Sequence, residues 1–482
     1  MPPEHLHFGG GAGDTAIHPL MVVYLLLAIV LVLILPRSKA IAPFLFAFFT
    51  IPIEQVVVVG GFHFTALRFL ILAGLAKRVF SRKTPSDRFS GVDWAVVFWA
   101  LSAAVCFCLE YRETPALVRE VGYLLDALGG YFVVRFLVPD GDGIRRTFKT
   151  LAVISVVLGI CMVFEQFGHR NVFGYLGGPP IEPAVRNGRI RSGATLGYLH
   201  AGAFAGVLIP LFLWLWTEGK SRMAAYAGLI GATVMVMTSS SSTSYLAFGG
   251  SLVGLAFWRL RNRMRLVRWV LVCVLVGLHM VMKAPVWALI QRVDLTGSSS
   301  GSQRYMLVDM TIRHFRDWWL LGTNEYVAWG WESWDLCNQF VAVALTGGLL
   351  TLIFYLMIFQ RGFSSIGTAR KLAIADRNQE WFLWCLGSSL FATVVAHFGI
   401  NYMAQGIMGV FPLLASISVA TFETKQATVR GVEPAQAPAP ASVSGRAGTD
   451  LLLAKSPKKQ RPVWSKVRLG PGQLKGRGVL TK

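Results

Sequence analysis

Apolar residues in this chain come in long blocks without a period. Runs such as Met21–Leu35 and Leu151–Phe164 are apolar on every side, not along one stripe and not at alternate positions. The hydrocarbon core of a bilayer is about 30 Å thick and takes roughly 20 apolar residues of helix to cross. Helices suit that solvent because they satisfy their own backbone N–H and C=O groups where no water can. A spanning β-barrel would instead show short alternating segments. Of the 482 residues, 54% are hydrophobic and 15% charged, against about 25% charged in soluble domains. The expectation is an all-α polytopic membrane protein.

Thirteen spans are expected, near 20–35, 40–59, 63–76, 93–109, 117–138, 147–167, 201–217, 224–238, 243–258, 267–282, 339–359, 381–396 and 406–422. The pair 224–238 and 243–258 is separated by a serine-rich hinge, Ser239–Ser242, and reads as a tight hairpin or as one broken element. Cytoplasmic loops are enriched in Lys and Arg. Alternate loops carry Arg37 and Lys39, Lys77 to Arg88, Arg145 to Lys149, Lys220 and Arg222, Arg259 to Arg268, and Arg361 to Arg377. All fall on one side when thirteen spans are counted. This places the N-terminal tail, 1–19, outside, a transmembrane domain at 20–423, and a tail, 424–482, in the cytoplasm of an inner (plasma) membrane protein.

The net charge of +21 therefore reads as topology and not as a nucleic-acid surface. The tail is rich in Pro, Ala, Gly, Lys and Arg, a composition that predicts disorder, with anionic membrane lipids as a possible contact. Of the six cysteines, five sit in apolar blocks and none forms a CxxC pair, so neither a disulfide framework nor a zinc site is expected. The start of the chain lacks the basic stretch and cleavage site of a signal peptide. Walker A and HExxH motifs are absent.

Charged residues within spans are costly and mark pairs or cavities. They are Glu54, Arg68, Asp126, Arg135 and Glu165; helix–helix pairing or snorkelling is their plainer reading. Two long segments, Gly168–His200 and Lys283–Asn338, fall outside, and long loops are more often functional than idle. The first holds Arg186, Arg189 and Arg191 with no acid among them. Guanidinium forks match phosphate oxygens, so a lipid phosphate or diphosphate is the expected anion. In the second, Ser300 or Ser302 can cap a helix starting near Arg304. Val308, Thr311, Ile312, Phe315 and Trp319 are expected on one face with Arg304, as an interfacial amphipathic helix. Asp335 and Asn338 are spaced to share a face before the next span.

These residues carry a resemblance. Arg304, Trp318-Trp319-Leu-Leu-Gly322-Thr, Asp335-Leu-Cys-Asn338-Gln-Phe and Gly347-Gly348 resemble the O-antigen ligase and O-antigen polymerase superfamily. So does Arg189-Ile-Arg191-Ser-Gly with His200-Ala-Gly leading into a span that ends Ile209-Pro210-Leu. The likeness runs from about Arg68 to Ala420 and is diffuse outside the two loops. It implies a GT-C-like inner-membrane glycosyltransferase that needs no metal or cofactor. Its partners would be a polyprenyl-diphosphate-linked glycan and a glycan acceptor, joined by inverting transfer at the periplasmic face. By position it implies Arg191 and Arg304 as the diphosphate-binding residues, with Arg189 assisting. Ligases carry a His-Asn pair where this chain has Cys337-Asn338. Asp335 or His314 then stands in as the base, and Asn338 completes the catalytic set. That departure points to a polymerase, or to a transferase for another surface polysaccharide, over a ligase proper. A lipid-linked glycan transporter, or a non-catalytic assembly partner, is the reading from other classes.

Overall fold

The computed structural model describes residues 15–52, 55–59, 62–81, 88–292, 300–330, 335–402 and 409–432. Glu54, Trp331–Trp334 and the segment from Glu433 onward lie outside the described residues. The chain is mostly helical. Helix α1 (Pro19–Ile34) starts where His18 accepts the Leu20 N–H and Pro19 supplies a preset φ. Helix α2 (Ile41–Thr50) is short. Strands β1 (Val56–Val59) and β2 (Phe62–Thr65) pair antiparallel and lead into α3 (Ala66–Val79). The expected span 40–59 thus holds a ten-residue helix followed by a four-residue strand. Pro52 cannot continue a helix, and the run Val56–Val59 is β-branched throughout.

A capping box between Ser90 and Asp93 starts α4 (Gly91–Tyr111). Helices α5 (Thr114–Leu124) and α6 (Gly130–Leu137) are joined by one π-helical turn into the span expected at 117–138. Asp140 caps α7 (Gly141–Gly168) through the Gly143 N–H. After the first outer loop, with its hairpin β3 (Ala184–Arg186) and β4 (Arg189–Arg191), come α8 (Tyr198–Glu218), α9 (Arg222–Thr238) and α10 (Ser242–Ala256). Helices α9 and α10 both pack on α8 and hardly touch each other. The serine hinge therefore neither closes a packed hairpin nor continues one helix; it carries the chain between two neighbours of α8. Gly202 makes that possible, because a Cβ there would strike the hydroxyls of Ser239 and Ser244.

Helix α11 (Met264–Val281) has no buried residue, and an all-round apolar helix of this kind is suited to hydrocarbon. The second outer loop holds α12 (Leu289–Arg292), α13 (Ser300–Arg313) and α14 (Phe315–Trp318). The bundle is completed by α15 (Gln339–Leu372), α16 (Arg377–His397) and a last helix, Phe411–Val432. That last helix extends past Thr424, where the tail was expected to begin.

Among the described residues five helical stretches are long and apolar enough to cross a membrane: Gly91–Tyr111, Gly141–Gly168, Tyr198–Glu218, Ser242–Val281 and Gln339–Leu372. Large apolar side chains cover the outside of the bundle, among them Leu20, Ile34, Phe164 and Ile230. An outward apolar surface of that extent fits lipid and not water. The chain is a helical membrane protein.

Charged groups inside the bundle are paired across helices. Arg68 on α3 grips Asp126 with three hydrogen bonds of 2.9–3.2 Å. Arg135 on α6 lies 3.6 Å from Asp93 on α4, which also accepts the Tyr131 hydroxyl. Glu165, at the outer end of α7, accepts the Gly193 and Ala194 N–H groups at 3.0 and 2.9 Å. Asp93 is the partner that hydropathy concealed, since it stands in the first turn of its helix and looks like a cap.

Candidate functional site

The candidate site is built from the two long loops, 168–200 and 283–338. In the first, Asn187 and Gly188 both adopt positive φ, 51° and 70°, which makes the two-residue turn of a β-hairpin. Arg186 pairs with Arg189, and Arg191 lies two residues further along β4. Side chains at paired positions and at i, i+2 share a face. Arg186, Arg189 and Arg191 therefore line one side of a two-stranded ribbon. The Asn-Gly dipeptide was a hairpin signal in the sequence.

The ribbon is tied down on its C-terminal side. Ser192 donates its N–H to the Thr238 carbonyl of α9 (3.1 Å) and its hydroxyl to Gln166 of α7 (3.2 Å). Glu165 holds the next two N–H groups, and the Asn171 amide holds the Ala194 carbonyl at 2.8 Å. Arg189 is exposed, whereas Arg191 is half-buried, its guanidinium 4.1 Å over the Tyr198 ring. Arg191 Nε is buried without a hydrogen-bond partner. Burial holds Arg191 below the ordinary guanidinium range; Tyr198 opposes this, and the positive fields of Arg186 and Arg304 add to it.

Arg304 comes from α13 in the other loop. Its side chain is buried, and Nη2 donates to the Thr243 hydroxyl (3.0 Å) and reaches the Gly399 carbonyl (3.5 Å). Thr243 in turn donates to Gly399 (2.8 Å). The serine-rich hinge thus does a second job: its Thr243 seats the arginine. Nearby, His200 Nε2 donates to the Asn401 carbonyl (3.0 Å), which fixes its tautomer, and its ring packs edge-on to Tyr402.

Asp335 is exposed and accepts a 3.4 Å hydrogen bond from Gln303, the neighbour of Arg304. Cys337 shares a hydrogen bond with Arg304, but burial pushes its thiol up to about 11 against the pull of that cation. A thiol in that state is neutral near pH 7 and cannot take a proton as the ligase histidine would. Asn338 is buried, and its carboxamide oxygen accepts the N–H groups of Phe340 and Val341, which makes it the N-cap of α15.

His314 is not part of this cluster. It stands ten residues beyond Arg304, about 15 Å along a helix axis. There it bonds Asp317 (2.9 Å) and stacks on Trp329. The helix itself differs from expectation. It begins at Ser300, so Ser302 lies inside it. Its buried side is Arg304, Leu307, Thr311 and Trp318, while Ile312, Phe315 and Trp319 are exposed. The break at His314 is the reason: it rotates Trp318 inward, and Trp318 donates to the Thr311 carbonyl at 2.7 Å.

The residues after that break lock onto α15. Thr323 donates to Leu345 (2.7 Å) and Leu349 donates to Trp319 (2.8 Å). Gly322 (φ 99°) and Gly348 (φ 71°) face this contact. A Cβ on Gly322 would meet the Leu345 carbonyl, and one on Gly348 the Leu320 carbonyl. Two distant glycine signals in the sequence thus mark one junction between the outer loop and a kinked span.

Tertiary structure therefore sets Asp335 and Cys337 beside α13 at Gln303 and Arg304, puts Arg191 within electrostatic reach of Arg304, leaves Arg189 exposed, and leaves His314 outside. Thr243, Tyr198 and Gln303 are additions that sequence patterning alone did not single out. Among the described residues no group of three or more His, Cys, Asp or Glu comes together as a metal site. The chain matches no protein-family model and no curated protein sequence.

Proposed function

We propose that the protein is a glycan polymerase or transferase that takes polyprenyl-diphosphate-linked glycan donors at the outer face of the membrane. The observation that carries this reading is the buried, unpartnered Arg191 Nε on an arginine-lined ribbon, within electrostatic reach of Arg304. Two guanidinium groups from loops more than a hundred residues apart raise each other's electrostatic cost, and Arg191 Nε is buried without a partner. An anion of two linked phosphates would relieve both, and would do so bidentately.

In this reaction an acceptor hydroxyl oxygen forms a bond to the anomeric carbon. The bond from that carbon to the phosphate oxygen breaks, and the diphosphate leaves with the electron pair. Arg191 and Arg304 stabilise the charge growing on it. Asp335 takes the hydroxyl proton; it is exposed to an incoming acceptor and tethered to Gln303 beside Arg304. Asn338 acts by starting α15 at this point and so fixing Asp335 and Cys337 in place. With a neutral thiol at 337, the polymerase reading is favoured over a ligase.

Arg191→Ala and Arg304→Ala, each checked for stable insertion, should abolish assembly of surface polysaccharide. A wild-type chain-length distribution in both variants would overturn the proposal. Transport of the lipid-linked glycan in liposomes with no new glycosidic bond would replace it by the transporter reading.

A further inference from the structure

A groove of about 470 Å³ lies between α7 and α9, within the size range of ligand pockets. On α7 it is lined by Ile160, Val163 and Phe167, and on α9 by Ala227, Ile230 and Val234. Spacings of three and four residues put each set on one helix face. The helices touch closely where Gly159 meets Gly231, since a Cβ on either would press against the opposite backbone. Toward the end of α7 they part: nothing lies within 4 Å of a Cβ at Gly168. Ile160, Phe164, Phe167 and Ile230 are exposed there, so the groove is open sideways to whatever surrounds the bundle.

What closes its outer end identifies the occupant. Ser192 bridges the last turns of both helices through Gln166 and Thr238. Ser192 follows Arg191 directly, so the arginine ribbon stands at the mouth of an apolar slot. The combination fits one chemistry: a long hydrocarbon chain joined to a multiply charged anionic head. A phospholipid offers a single phosphate and two chains. The ribbon instead offers three guanidinium groups on one face, with a fourth, Arg304, within electrostatic reach.

We infer that the α7–α9 groove seats the first isoprene units of a polyprenyl diphosphate, which reaches the arginine ribbon laterally from the outer leaflet. The inference rests on the function proposed above and adds the route and the tail site. Burial of isoprene carbons in the slot supplies affinity that the head group alone would lack, and holds the diphosphate at Arg191.

The test uses the full chain in nanodiscs of phosphatidylethanolamine and phosphatidylglycerol. One probe is a C55 polyprenyl diphosphate with a diazirine near its head; the other is a diazirine-bearing phosphatidylglycerol. The polyprenyl probe should label peptides containing 156–168 and 227–234, and the phosphatidylglycerol probe should not compete. Ile230→Trp and Val163→Trp fill the slot from positions that are exposed or half-exposed. Each should weaken binding of the polyprenyl probe about tenfold, the equivalent of a few buried methylene groups. Equal labelling by phosphatidylglycerol would overturn the inference and leave a bulk lipid surface. Label confined to other helices, with binding still lost in Arg191→Ala and Arg304→Ala, would overturn the tail site while the proposed function stands. Binding of the probe that is indifferent to Arg191 and Arg304 would overturn both.

Discussion

Arg68 and Arg191 are both arginines of a helical membrane protein, yet they are held in opposite ways. Arg68 is clasped by a carboxylate on another helix, with Asp126 oxygens at 2.9 to 3.2 Å. Arg191 forms no ion pair with any described residue and leans on an aromatic face, with Nε unpartnered. Desolvating a charge is tolerable when a counter-charge shares the site. The inner pair therefore holds the bundle together. The outer arginine is a cost to the isolated protein, and such costs are kept where a ligand repays them. Position within the fold, and not residue type, decides which of these charges is paired.

The largest expected effect comes from the inner pair. Arg68→Ala leaves the half-buried Asp126 without its partner and should destabilise the protein by about 3 kcal/mol, the low end for a broken buried pair. Arg191→Ala should leave thermal stability in detergent level or slightly higher while abolishing polymer formation. Equal destabilisation by the two variants would erase the contrast. A smaller effect is expected at Glu165, which is charged like an inner residue but serves the outer loop. Glu165→Gln keeps an acceptor oxygen but removes the charge assistance from two bonds to Gly193 and Ala194, at about 1 kcal/mol each. Its signature should be weaker donor binding with the bundle's cooperative unfolding retained. Loss of folding with no change in donor binding would place Glu165 with Arg68. The mildest test uses Cys337. Burial raises its thiol to about 11, so the thiolate is scarce at pH 7 and grows as pH rises toward that value. Iodoacetamide modification of Cys337, followed by peptide mapping, should be slow at pH 7 and accelerate about tenfold per pH unit below the pKa. Rapid modification at neutral pH would mean a thiolate beside Arg304 and would reopen its candidacy as the base.

Much of the scaffold was readable from hydropathy because each span is a local property. The blocks at 93–109, 147–167, 201–217 and 381–396 each fall within one helix. The failures have local causes too. The block 40–59 mixes a helix with a β-branched strand, which total hydrophobicity cannot distinguish. The face assigned to Phe315 and Trp319 failed because the break at His314 shifts the register of everything after it, while Ile312, before the break, lies off the buried side of α13. The candidate site was legible only in part. Arg191 and Arg304 stood out as positive charges on the outer side, and Asn187-Gly188 announced the turn that presents the first of them. Their convergence, the Thr243 seat and the capping role of Asn338 depend on contacts between segments far apart in the chain.

The sequence by itself determined that this chain lives in a bilayer as helices, since only unbroken apolar blocks with self-satisfied backbones are stable in hydrocarbon. It also singled out Arg189, Arg191 and Arg304 as arginines that the expected topology sets apart from the basic loops. The tertiary structure decided which charges cancel. Arg68 meets Asp126 and Arg135 meets Asp93 because helix packing brings them within a few ångströms. Arg191 instead lies in the field of other arginines, Arg186 and Arg304. Coulomb energies depend on separation and burial, and neither is written in the order of residues.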